Sequence, residues 1–282
     1  MDYPKIKRLC KYAPFNSRSI SALVTGKLWY ARPHSFNDPF DCTLPNHSLV
    51  HLEQRQFASA KEHRAATRNR SEKESFLNVG DGIRAIHQRS LSRVSEGEPD
   101  TAKAFVNGHN TLQSFLHTFG VLSLSATPRS ILMWSHYGAQ HSGICFEFNR
   151  SPTDKLGTDA KPVIYSNQRE ADRALVKQSH VTTQFLKYSG WSYEREWRQL
   201  ENDGGRLYDF PGMLLSVICG ARMPSHEVDV VTRVVTSPNS SQGCTIAVKA
   251  AEMAHTTYRI SIRPHQSGRS IDSPPQTYPQ ES

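Results

Sequence analysis

Beyond Thr118 the chain breaks into many short apolar runs, and this density of strand candidates most limits the folds open to it. Residues 121–124, 143–148, 163–165, 196–200, 214–219, 244–249 and 258–262 each carry the β-branched, aromatic and apolar side chains that suit a pleated, half-buried surface. Helical patterns fall between them at 128–137, 167–188 and 225–235, the last with Val228, Val231 and Val235 along one stripe. The 128–137 helix has Thr127 as its candidate N-cap, Pro128 at its first position and Gly138 just past its end. Strands and helices in this mixed order do not build successive βαβ units. The expected fold is therefore α+β, with a mainly antiparallel mixed sheet.

The N-terminal stretch adds a strand from Leu9, a helix over 17–25 with Ile20, Leu23 and Val24 on one face, and an aromatic strand over 27–31. Gly26 is the stop signal for that helix. Residues 49–118 read differently, as long polar helices inserted into the β-rich core, with Arg55, Arg64, Arg68, Arg70 and Arg84 among scattered acids. From 266 to 282 too few apolar residues remain to pack, so the expectation is one domain over 1–265 followed by a disordered tail.

The formal net charge of +8 favours anionic partners, either a nucleotide or other anionic small molecule or, through the basic insertion, a nucleic acid. No apolar run approaches the roughly 20 residues of a membrane span, and no apolar stretch follows the basic N-terminus as it would in a signal peptide. A cytoplasmic protein without membrane contact is expected. The five cysteines contain no Cys-x-x-Cys pair, so neither a disulfide framework nor a zinc site is expected. Cys145, Cys219 and Cys244 sit in strand-like runs and read as inert buried thiols.

Phosphate-loop, dinucleotide-fingerprint, zincin and nucleophile-elbow signatures are absent from the sequence. Three clusters remain. Phe36-Asn37-Asp38-Pro39-Phe40-Asp41 reads as a structural turn whose two Phe side chains anchor the loop. The second joins a strand ending in Ser123 and Ser125, with both hydroxyls on one face, to Trp134, His136 and Tyr137 on a short helix, and then to His141-Ser142-Gly143. Polar aromatics of this kind suit the stacking and hydrogen bonding of a planar ring. The third is Tyr193-Glu194-Arg195-Glu196-Trp197-Arg198, which as a strand puts Glu194, Glu196 and Arg198 on one face.

The order FNDPFD, LSLS, MWSHY…HSG and YEREWR resembles the bacterial family known as the domain of unknown function DUF2971, over about residues 11–262. That resemblance implies a setting in phage defence or toxin action. The chain is similar, more distantly, to ADP-ribosyltransferases, in which a basic residue on the first strand, a Ser-x-Ser strand and a later Glu-x-Glu form the site. That similarity implies NAD as substrate, with Glu196 stabilising the oxocarbenium-like ribose, Glu194 positioning a protein or nucleic-acid acceptor and His136 assisting catalysis. Arg8 or Lys11 would bind the pyrophosphate, with Ser123 and Ser125 lining the site and Trp134 or Tyr137 stacking on nicotinamide. Two rivals stand beside it: a non-catalytic sensor, immunity or interaction protein whose motifs only build the fold, and a nucleic-acid-binding protein using the basic insertion.

Overall fold

The computed structural model describes residues 6–43, 110, 113–167, 183–237 and 246–265. The expected insertion lies almost wholly outside these residues, as do the tail, Cys244 and most of the expected 167–188 helix.

The first helix, α1 (Ser17–Thr25), forms because both of its ends are chemically specified. The Asn16 side chain accepts from the Arg18 and Ser19 amides, and the Ser19 hydroxyl accepts from the Asn16 amide, satisfying N–H groups that a helix start leaves open. Gly26 ends it at φ 68°, in the left-handed region that favours glycine.

Among the described residues the core is an eight-stranded sheet in the order β12-β11-β10-β4-β1-β3-β8-β5. Its strands are β1 (Arg8–Ala13), β3 (Gly120–Ser125), β4 (Ile144–Asn149), β5 (Lys161–Pro162), β8 (Glu196–Glu201), β10 (Leu214–Cys219), β11 (Ala247–Met253) and β12 (Ile260–Pro264). All neighbouring pairs are antiparallel except β10 with β11. Two small sheets stand apart, one of β2 (Lys27–Tyr30) with β9 (Arg206–Asp209), the other of β6 (Ile164–Ser166) with β7 (Leu186–Tyr188). The α+β expectation holds, and the sheet is mostly antiparallel.

Alternation along the strands gives the sheet two apolar faces. One carries Leu9, Leu124, Phe146, Phe148, Trp197 and Val217, covered by Ala22 and Leu23 of α1 and by Val228, Val231 and Val235 of α4 (Ser225–Thr236). The other carries Cys10, Tyr12, Cys145 and Ile218, covered by Met133 and Trp134 of α2 (Ile131–Tyr137). A short α3 (Lys155–Thr158) lies between β4 and β5. No described helix is long and apolar enough to cross a membrane.

Three local expectations are corrected. Helix α2 is capped by Ser130, which accepts from the Met133 amide, while Thr127 caps only a turn at Arg129. The end of the expected 167–188 helix is a 3-10 turn at Thr183–Phe185 followed by strand β7, because Leu186 pairs with Ile164. The strand expected over 196–200 is β8, but the reading of Tyr193–Arg198 as one continuous strand fails before Glu196. Before it, Ser189–Glu194 is a 3-10 helix, and Arg195 turns the chain in the left-handed conformation at φ 47°.

Candidate functional site: a buried ionic network on the α2 face

Register decides which side chains meet. Cys10 faces α2 and pairs with Ser125, Ser125 pairs with Glu196, and Ser123 pairs with Arg198. Directly opposed residues share a face, so both serines, Glu196 and Arg198 project on the α2 side of the sheet.

Arg198 is fully buried and is the centre of the network. Its guanidinium donates through Nε and Nη2 to Glu196 at 2.7 and 3.0 Å, and through Nη1 and Nη2 to Asp41 at 2.8 and 2.6 Å. Nη1 also donates to the Gln184 carbonyl at 2.6 Å. Lys187 joins the two acids of the Glu-x-Glu pair, reaching Glu194 at 2.5 Å and Glu196 at 3.0 Å. The Tyr137 hydroxyl donates to Glu194 at 2.6 Å, and Asn37 donates to Tyr137 at 3.4 Å. Lys11 reaches from β1 to the Ser123 carbonyl at 3.1 Å.

The two glutamates differ electrostatically. Burial alone would raise the Glu196 carboxyl, but the Arg198 charge and hydrogen bonds, with Lys187 and the Ser123 hydroxyl, pull it down to about 2. Glu194 is pushed up, chiefly by burial, with Lys187 opposing and the Glu196 charge adding to the rise. Burial would lower the Lys187 ammonium, yet Glu196 and Glu194 overcome it and raise it. Burial lowers Lys11, with the same two acids opposing.

A family model described as "Protein of unknown function (DUF2971)" matches residues 133–199. Over those residues the chain is DUF2971-like. The DUF2971 match is shorter than the motif order suggested, but it spans α2 through β8 and contains Tyr137, Lys187, Glu194, Glu196 and Arg198. No curated protein and no solved structure matches the chain.

The structure brings Tyr137, Glu194 and Glu196 of the matched stretch near Ser123, Ser125 and Lys11. Ser125 is buried and donates to the Glu194 carbonyl at 2.7 Å, so its hydroxyl fixes the turn before β8. Arg8 does not join them. It pairs with Glu147 at 3.1 Å in a separate cluster with Lys249 and Ser216. Trp134 is a correction: it is 0% exposed, packs edge-on against Tyr12 and donates its indole N–H to the Pro128 carbonyl, which leaves no ring face for stacking. His136 is exposed, 6.0 Å from the Tyr193 ring and 6.3 Å from that of Tyr137. His141 bonds Ser135 at 3.1 Å, and the left-handed run Ala139–His141 follows α2.

Asp41, Lys187 and Gln184 were missed by the sequence reading. Asp41 belongs to the FNDPFD turn, where Asp38 does cap Phe40 as a turn former should. Phe40, however, is 62% exposed, so the turn is anchored instead by the Asp41–Arg198 ion pair and by Phe36 beneath the Arg198 guanidinium. A buried acid in a turn and a buried base opposite it were the available signal. Lys187 lay inside an expected helix and so attracted no attention. Gln184 is fully buried, and among the described residues neither polar atom of its side-chain amide has a partner. Among the described residues no group of His, Cys, Asp and Glu could hold a metal ion.

Proposed function

We propose that this chain is an NAD-using enzyme of ADP-ribosyltransferase-like or NAD-glycohydrolase-like chemistry, its site lying where β1, β3 and β8 run side by side. The observation that carries this reading is the meeting of Ser123 and Glu196 on the α2 face of adjacent strands, with Glu194 and Tyr137 alongside and Lys11 reaching the Ser123 main-chain carbonyl from β1. In the reaction the bond between nicotinamide and the ribose C1 breaks, and nicotinamide leaves with the electron pair. Water or an acceptor then bonds to C1 and loses a proton. The ionised Glu196 suits the stabilisation of the positive charge that develops on the ribose. Glu194, with its raised pKa, suits the uptake of the proton from the acceptor.

Glu196 is only 4% exposed, and Lys187 and one guanidinium nitrogen share its Oε2. Its Oε1 accepts from the Arg198 Nε. Reaching the ribose therefore requires the groups that bury and pair this carboxylate to move.

The test is nicotinamide release from NAD in cell lysate, comparing the unaltered protein with Glu196→Gln and Ser123→Ala. Release that falls at least tenfold in both variants, with folding intact by circular dichroism, supports the reading. No release from well-folded protein, together with no NAD binding by calorimetry, sinks it. Gln184→Leu adds a separate readout. Replacing an orphaned buried amide with an apolar side chain of similar size should leave stability unchanged or raise it. If that amide serves a ligand, NAD binding falls in the same variant.

The completeness of the ion pairing favours a second reading, a non-catalytic protein in which the network only ties the fold together. That reading predicts that Gln184→Leu raises the midpoint of unfolding with no change in any ligand's affinity.

A further inference from the structure

The segment just before the Glu-x-Glu pair is unusually rich in uncovered rings. Tyr188, at the end of β7, is 57% exposed, and Trp191 and Tyr193 of the following 3-10 helix are partly buried, with Tyr193 packed against the α2-side core. His136 of α2 lies 6.0 Å from Tyr193, and Tyr193 lies 6.0 Å from Trp191, with ring planes tilted by 38° and 44°. Gly190 makes the arrangement possible, because a Cβ there would come within 2.5 Å of the Tyr188 ring. Rings 6.0 Å apart leave no slot between them for another ring, so the strip presents a platform of outer faces.

Beneath the platform the Lys187 ammonium lies 5.2 Å from the centre of the Trp191 ring. That cation already occupies one π face and draws electron density towards it, which makes the outer face better suited to a neutral heterocycle than to a second cation.

We infer that His136, Tyr193 and Trp191 form a stacking platform for the planar heterocycle of a mononucleotide. The inference deepens the nucleotide reading above and rests on it only for the class of ligand. It assigns ring recognition to residues other than the buried Trp134, and it sets Trp191 and Tyr193 as specificity-determining residues beside Glu194.

Trp191 reports on its own occupancy. With excitation at the red edge of indole absorption, AMP should quench emission saturably, and nicotinamide mononucleotide, whose pyridinium ring is a cation, more weakly, while ribose 5-phosphate, which lacks the ring, should not. Trp191→Phe keeps a ring and should abolish the quench while calorimetric affinity stays within about twofold. Trp191→Ala should weaken binding about tenfold, the loss expected when one stacking ring is removed. A quench that survives in Trp191→Phe overturns the inference. So does an equal response to ribose 5-phosphate, or saturation by a single-stranded oligonucleotide alone. Nucleotide quenching without nicotinamide release leaves the platform standing and removes the NAD chemistry; release that persists undiminished in Trp191→Ala, with no quench, does the reverse.

Discussion

Arg198 faces two carboxylates in a place water does not reach, so removing it leaves Glu196 and Asp41 as uncompensated buried charges. Arg198→Met should destabilise the protein by about 3–5 kcal/mol, measured by urea unfolding at pH 7. The glutamates should separate in the same assay. Glu196→Gln removes an ion that two cations hold and should cost about 3 kcal/mol or more, whereas Glu194→Gln removes a carboxyl whose charge burial already disfavours and should cost less than half as much. The pH dependence follows in sign. The folded Glu196 pKa, about 2, lies below its ordinary value of 4.5, so its contribution is complete above 4.5 and is lost as pH falls towards 2. Glu194 works oppositely, its contribution being complete below 4.5 and lost as pH rises through its raised value. Glu196→Gln should therefore flatten the acid limb of the stability curve between pH 4.5 and 2, which thermal melts across that range will read.

At the scale of the element, the end of α1 was legible because it is written in one local residue, Gly26, whereas the Asn16 and Ser19 box that caps its start went unread. Asn16→Ala should cost about 1 kcal/mol, read as a fall in the urea midpoint with unchanged slope. The strands of the main sheet were legible for a similar reason, since runs such as Leu214–Cys219 are apolar whatever they pair with. Strand β9 was not, because Arg206–Asp209 is largely exposed and becomes a strand only through its pairing with β2. The Glu194–Arg198 face was anticipated for the wrong reason. Simple alternation placed Glu194 beside Glu196, but the chain turns at Arg195, and Lys187 brings the two carboxylates together. Pairing over a distance and a left-handed non-glycine residue leave no local pattern to read.

For the molecule as a whole, the network links parts of the chain that are far apart in sequence. Asp41 lies in the turn after the 3-10 helix at Pro33–Ser35, Glu196 and Arg198 lie on β8, Lys187 lies on β7, and Tyr137 ends α2. Such a junction should make the N-terminal loop and the central sheet unfold together. Because Asp41 and Glu196 share Arg198 as partner, losing either one already releases part of what the other holds. Their unfolding costs should then be non-additive: Asp41→Asn with Glu196→Gln should destabilise by about 0.5–3 kcal/mol less than the sum of the single variants. Circular dichroism, which follows the sheet, and tryptophan emission, to which the buried Trp134 and Trp197 contribute, should trace one coincident transition in the unaltered protein. Additive costs, or two separated transitions, would mean that the FNDPFD turn is merely attached to the sheet. Its fixed position could then owe nothing to the carboxylates around Arg198, and Asp41 would have no part in holding Glu196 ready for a ligand.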